Sequence, residues 1–375
     1  MILDEKCLDL QSMVRDFVDK EVIPNISKYE PTSEFPVDIN EKAVGMGLAC
    51  MYMPERFGGP ELSKVETCVL AEELARGDLG IATTFVANCL ASLPVLLAGT
   101  EEQQALWFDL VNKHDYAAFC LTEPNAGSDA GSVRTTARED GEDYVINGTK
   151  CFITNGAVAG VYSVFASVDT SKGVKGLTCF LVERDRPGIS VGKEEDKMGM
   201  RLSNTTEVVF DEVRVPKSHI IGKVGEGFKV AMKTLDASRP TVGALGVGIA
   251  RRGLEEAVKY SKERVQFGKP ICANQAIQFM LADMAIEIES ARQCVMYAAE
   301  LGDAGLPFTL QAAIAKTKGG DVGMRCAVDA VQILGGYGYM REYPVEKLMR
   351  DAKIVQIYEG TNQIQRMVIA GQLLK

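Results

Sequence analysis

Asp143-Tyr-Val-Ile-Asn-Gly-Thr-Lys-Cys-Phe-Ile-Thr154 is the stretch on which the fold turns. Its β-formers fall into two short runs, 143–147 and 150–154, on either side of Asn147-Gly148. Asn and Gly tolerate positive φ better than other residues, so this pair between two such runs predicts a β-hairpin. Short Val/Thr/Phe-rich runs between turn residues recur at 161–168, 177–183 and 206–214. Residues 117–227 are therefore expected to form a small β-domain.

On both sides of this segment the periodicity is helical. Leu8, Met13, Val14, Phe17, Val18 and Val22 recur at spacings of three to five, and Pro24 and the Pro31–Pro36 segment interrupt the pattern. Helices are predicted at 62–76, 81–98 and 101–112, the last opened by Thr100 as cap with Glu101 and Glu102 in its first turn. After the glycine-rich Gly222–Gly227, helical runs near 228–265, 274–300, 309–334, 344–355 and 361–373 suit an antiparallel bundle with turns at Gly302, Gly305 and Pro307. The expected architecture is α+β: an N-terminal helical domain (1–116), a middle β-barrel-like domain (117–227) and a C-terminal four-helix bundle (228–375).

A chain of 375 residues is too long for one core, and 46% hydrophobic with 25% charged residues is the balance of a folded protein. A net charge of −10 removes the basic footprint of a nucleic-acid binder. Ten cysteines show no C-x-x-C pair and several sit in apolar runs, which predicts reduced thiols in a cytoplasmic protein. The first residues carry acids among their apolar positions, unlike a signal or transit peptide, and no uninterrupted apolar run is long enough for a membrane span. Only His114 and His219 are available, so zinc sites and His-centred triads are disfavoured and no metal is expected. Gly246-Val-Gly248 lies in a helical pattern rather than after a strand, which disfavours a nicotinamide-binding unit.

Two segments carry unusual residue choices. Cys120-Leu-Thr-Glu-Pro-Asn-Ala-Gly-Ser-Asp-Ala-Gly-Ser132 is an irregular loop whose amides and hydroxyls could hold a polar ligand; taken alone it is equally a boundary turn. Gln332-Ile-Leu-Gly-Gly-Tyr-Gly-Tyr-Met-Arg-Glu-Tyr-Pro-Val-Glu-Lys-Leu-Met-Arg-Asp351 ends a helix on glycines that permit a close approach, to another helix or to a phosphate. With Phe152–Gly156, Glu263–Lys269 and Ile357–Arg366, all in order, these strings resemble the signature segments of the acyl-CoA dehydrogenase family, in its short- and medium-chain branch. The resemblance runs over essentially the whole chain.

The resemblance implies FAD-dependent α,β-dehydrogenation of an acyl-CoA thioester to a trans-2-enoyl-CoA, as in fatty-acid metabolism, with electrons passed to an electron-transferring flavoprotein. Glu359 in Tyr358-Glu-Gly-Thr361 matches the base that removes the α-proton; by position alone it is an ordinary acid near a helix start. Some relatives carry the base in the segment written here Thr234–Pro240, where Ser238 stands. The implied flavin contacts are Leu121, Thr122, Phe152 and Thr154, with Phe152 in a place usually held by Trp. Arg264, Gln266, Phe267 and Gln275 match residues that reach the pyrophosphate and adenosine end from a neighbouring subunit; Gln332, Gly335, Gly336, Thr361 and Gln363 match others on the same cofactor.

For acyl-CoA the implied contacts are Ser128, Asp236, Arg239, Tyr358 and Gly360, with an acyl pocket lined by the apolar stretch Phe85–Leu93. A homotetramer is implied, without nucleic-acid or membrane partners. The alternatives are an acyl-CoA oxidase, which usually carries a further C-terminal domain where this chain stops at Lys375, and a non-catalytic acyl-CoA-binding relative.

Overall fold

The computed structural model describes residues 3–375. Asp4 opens α1 (Glu5–Phe17) by accepting from the Cys7 amide at 2.8 Å. A π-helical turn at Val18–Val22 and Pro24 then break the helix before α2 (Ile26–Tyr29) and α3 (Val37–Gly45). Ser63 and Glu66 form a capping box at the start of α4 (Lys64–Gly77), and Asp78 caps α5 (Leu79–Ala98). Thr100 opens α6 (Glu101–His114) as expected, with Gln103 reaching back to its amide at 3.0 Å.

α5 is long and apolar enough to cross a bilayer by length and composition, but 78% of that window is buried inside the protein. It is a core helix. Phe85, Ala91 and Val95 are fully enclosed, and Asn88 uses its amide to bind the backbone of Ala49, Asp115 and Ala117.

The strands are β1 (Ala117–Cys120), β2 (Thr136–Asp140), β3 (Asp143–Thr154), β4 (Val161–Ser167), β5 (Leu177–Glu183), β6 (Ile189–Glu194), β7 (Thr205–Pro216) and β8 (Ile220–Ile221). They form an eight-stranded sheet in the order β6-β7-β3-β2-β4-β5-β8, with β1 added in parallel to β4. β1, β2, β6 and β8 were not among the runs read from sequence.

The hairpin at Asn147-Gly148 does not exist. β3 runs straight through it, and the tight turn lies earlier, at Gly141-Glu142 between β2 and β3, where Gly141 takes φ 65°. Asn147-Gly148 instead makes a β-bulge: pairing with β7 slips between Ile146↔Val213 and Gly148↔Phe210. Asn147 closes the bulge by accepting from the Glu212 amide at 2.9 Å and donating to its carboxylate at 2.6 Å. A Cβ at Gly148 would lie 2.4 Å from Thr135 Oγ1, so close packing of the 135 loop is what requires glycine there.

The C-terminal helices are α7 (Gly227–Glu263), α8 (Gln275–Asp303), α9 (Thr309–Leu334), α10 (Val345–Val355) and α11 (Asn362–Leu373). Between α7 and α8 a small hairpin pairs β9 (Val265–Gln266) with β10 (Lys269–Pro270). Gly302, expected as a turn, lies in the last turn of α8, and Gly305 makes the turn with φ 66°. α7 and α9 touch backbone to backbone: a Cβ at Gly246 would sit 2.2 Å from the Gly319 carbonyl. This contact draws the middle of α7 against the middle of α9.

A buried charge triad ties the elements together. Lys347 on α10 lies 2.5 Å from both Asp78, the α5 cap, and Asp351. Asp351 also accepts from the Met200 amide at 2.7 Å, in the loop before β7.

Candidate active site

Three groups of residues matter. The first surrounds Glu359, on the loop between α10 and α11. Glu359 and Gly360 both take positive φ, 52° and 90°, which turns the Glu359 side chain back toward α7. Non-glycine residues rarely adopt this conformation, and here the surroundings enforce it. Gln365 Nε2 donates to the carbonyls of Glu359 and Gly360 at 3.2 and 3.1 Å, and Lys316 Nζ reaches Gly360 O at 2.8 Å. Thr361 caps α11, accepting from the Ile364 amide at 3.2 Å.

The Glu359 carboxylate accepts a short hydrogen bond from Ser238 Oγ on α7. Some of the residue's surface stays accessible, but its carboxyl is closely surrounded by protein. Burial pushes that carboxyl above the usual carboxylate range, against the opposing pull of Ser238, Lys316 and Arg239. Arg239, almost fully buried, pairs with Asp236, which Thr309 Oγ1 also holds at 2.8 Å. Asp236 and Arg239 are thus brought to the Glu359 neighbourhood, where they satisfy each other. The buried Tyr358 hydroxyl lies beside Thr83 of α5.

The second group lies on the sheet. Thr122 O accepts from the Cys151 amide at 3.0 Å, and Leu121 O from Lys150 Nζ at 3.2 Å, so the loop after β1 is docked beside Phe152. Phe152 stands 64% exposed with φ 56°, an aromatic face with no partner among the described rings. Thr154 is opposite Thr205 in register, so their side chains share a face, and the buried Thr205 and Thr206 hydroxyls lack partners. Asn155 joins this group to the first by donating to Thr84 O at 2.9 Å, next to Thr83. Ser128 is exposed on its loop.

The third group lines a cleft of about 450 Å³ between the β9–β10 hairpin and the glycine turn after α9. Arg264, Gln266, Gly335 and Gly336 converge there, with the Arg264 guanidinium 5.3 Å from the Tyr337 ring centre. Phe267, Gln275, Gln332 and Gln363 do not line the cleft; each is exposed, Phe267 at 98% on the hairpin tip.

These positions fit a flavin dinucleotide. A guanidinium and two glycine amides with open space at their Cβ positions suit a pyrophosphate. The orphaned Thr205 hydroxyl, on the face it shares with Thr154 and near an exposed aromatic, suits the edge and face of a ring system with polar atoms.

Sequence reasoning missed two buried lysines. Lys150 on β3 is fully buried and pairs with Glu123 at 2.8 Å, whose carboxylate also accepts from the Arg134 and Thr135 amides. Lys316 lies on α9 within a face of small residues, Ala312, Ala313, Ala315, Gly319 and Gly320. A lysine on an otherwise Ala/Gly helix face was the available signal. For Lys150 the signal was a charge in the middle of a run of β-formers, between Thr149 and Cys151.

Helical segments before and after a mixed sheet, with a closely surrounded carboxylate on the last interhelical loop, make an α+β protein equipped to take up a proton at that site. Models of the acyl-CoA dehydrogenase N-terminal, middle and C-terminal domains match residues 4–113, 118–213 and 225–374 in that order. An acyl-CoA dehydrogenase of Bacillus subtilis is 45% identical over 367 residues, 97% of each chain. The solved butyryl-CoA dehydrogenase of Megasphaera elsdenii is 44% identical, with a TM-score of 0.97 and 100% of both chains covered. A chain in a structure described as the electron transferring flavoprotein of Acidaminococcus fermentans is also 44% identical, with a TM-score of 0.97 and 100% and 99% coverage. The chain belongs to the acyl-CoA dehydrogenase family.

Proposed function

We propose that this chain is an FAD-dependent dehydrogenase of acyl-CoA thioesters in which Glu359 takes the α-proton and the product is a trans-2-enoyl-CoA. The observation that carries the reading is the Glu359 carboxylate itself: turned inward by a left-handed backbone, bonded to Ser238 and raised in proton affinity by burial. A base so placed is matched to a weak carbon acid better than an exposed carboxylate. Bound FAD supplies the acceptor for the hydride that leaves the β-carbon. Ser238 orients the Glu359 carboxylate, the Glu359 amide can donate to the thioester oxygen as charge develops there, and the enclosing helices keep water from the reaction.

Arg264, Gln266, Gly335 and Gly336 would hold the FAD phosphates, and Leu121, Thr122, Phe152 and Thr154 its ring system. Phe267, Gln275, Gln332, Thr361 and Gln363 would complete the adenine end in an assembly of subunits, a reading supported by Phe267, which is left 98% exposed on the hairpin tip. A homotetramer is consistent with Phe279, Ile286 and Tyr297, large apolar residues left exposed on α8. The functional units are taken as 1–116, 117–227 and 228–375. Ser128, Asp236, Arg239, Tyr358 and Gly360 would meet the acyl-CoA. The Acidaminococcus likeness favours an electron-transferring flavoprotein as acceptor, the Megasphaera likeness a short acyl chain, and ten unpaired cysteines a cytoplasmic setting.

The test is Glu359→Gln. Turnover of butyryl-CoA falls by ~10²–10⁴-fold while flavin content and acyl-CoA binding persist. Near-normal turnover in that variant overturns the assignment, and hydrogen peroxide formation under air would mark an oxidase instead.

A further inference from the structure

Two cations face Glu359, and they are not equivalent. Arg239 on α7 brings its own counter-ion, Asp236, held in turn by Thr309. Lys316 on α9 brings none. Its ammonium is fully buried and donates to two neutral oxygens, Gly360 O at 2.8 Å and Asn362 Oδ1 at 3.0 Å. Asp321, one turn further along α9, is engaged by Arg366, Gln356 and Asn362. The α8 carboxylate of Glu287 is turned to Lys318 and Arg325. Of the charged groups that face Lys316, which are Glu359, Arg239 and Asp321, Glu359 is therefore the anion left to balance it.

We propose, on the reading of Glu359 as base, that Lys316 is the positioning residue of this reaction: it holds the left-handed Glu359-Gly360 turn through its bonds to Gly360 and Asn362, and its charge keeps Glu359 ionised while substrate is bound. Both halves of the role follow from the geometry and the charge around Lys316. The loop carries two consecutive positive-φ residues, and the Gly360 carbonyl that closes it receives donors from opposite sides, Lys316 and Gln365. Burial disfavours the charged form of Glu359, and an ammonium nearby that brings no anion of its own opposes this. The reverse also holds, because burial draws Lys316 down to about 8 while Glu359 holds it up. When Glu359 accepts the α-proton and becomes neutral, Lys316 loses its counter-charge. The interaction that charged the base thus favours releasing the proton once product leaves, which readies the site for another turnover.

The experiment separates charge from hydrogen bonding. Lys316→Gln keeps a donor for Gly360 and removes the charge; Lys316→Met removes both. Each holoenzyme is assayed with butyryl-CoA from pH 5.5 to 9, with flavin content and the affinity of crotonyl-CoA measured alongside. In both variants the acid limb of kcat/KM moves upward by on the order of one pH unit. In Lys316→Met the plateau kcat falls in addition by about tenfold or more with KM little changed, because a loop that wanders misplaces the base. An acid limb that stays in place in Lys316→Gln overturns the proposal even if Lys316→Met fails to fold. Loss of turnover in Glu359→Gln beside an unmoved limb in Lys316→Gln would refute only the lysine; normal turnover in Glu359→Gln would refute the base.

Discussion

A carboxylate proposed as a base is held where burial disfavours its charge, and for Glu359 that placement bears on stability as well as on the proposed reaction. Its proton affinity is raised above the ordinary 4.5 of a glutamate, chiefly by burial. A raised carboxyl contributes stability that is fully present below the unfolded value and is lost as pH rises through the folded value. Glu359→Gln mimics the protonated form, so its melting temperature should gain on that of the wild-type protein as pH climbs from 4.5 toward neutrality. Melting curves over that range check this, and a gap that stays constant would show that the carboxyl is not raised. The sequence made Glu359 visible only through the Tyr-Glu-Gly-Thr resemblance, because a lone acid before a helix has a dozen ordinary explanations. Lys316 was visible in a weaker sense, as a charge on a helix face otherwise made of alanine and glycine, but its partners lie on segments 44 and 46 residues away.

At the scale of elements, local chemistry was read correctly where the partner is also local. Thr100 caps α6 because the amides it satisfies are three residues off. Asn147-Gly148 misled because its deciding partners are distant: Glu212 across the sheet and Thr135 beneath it. Gly148→Ala should therefore cost about 2–4 kcal/mol, since the added Cβ meets Thr135 and φ 155° suits an L-residue poorly. Urea titration would show it, and a cost below 1 kcal/mol would mean that the 135 loop yields freely. The Glu123–Lys150 pair gives a second prediction. Lys150→Met strands a buried Glu123 and should cost about 3–5 kcal/mol, whereas Lys150→Met with Glu123→Gln, which removes the stranded charge and keeps an acceptor oxygen for the Arg134 and Thr135 amides, should recover part of it. Equal losses in the single and double variants would contradict this. The pair holds Leu121 and the Arg134–Thr135 amides in place, so loosened flavin binding should accompany the single substitution.

On the whole-molecule scale, the order of helices, sheet and helices was legible from periodicity, while the cleft between the β9–β10 hairpin and Gly335-Gly336 was not. It joins residues some 70 positions apart that come together only when α7, α8 and α9 have packed. Phe267, left exposed on the hairpin tip, is the residue at which the proposed assembly of subunits can be tested. Phe267→Ser should leave the melting of the separate subunit nearly unchanged, while the native species shifts to smaller size and flavin is retained less well on dilution. Light scattering with flavin absorbance on the same column reads both; an unshifted peak with full flavin would place the subunit boundary elsewhere.

The Asp78–Lys347–Asp351 knot has its own bearing on how the protein comes apart. It ties the start of a core helix and a helix of the bundle to one ammonium, and through Asp351 the loop between β6 and β7, so none of the three can loosen without exposing the charges of the others. The Met200 amide, clamped at its centre, should trade its hydrogen for deuterium only when the entire chain opens, as slowly as the deepest strand and far behind the other amides of its own loop.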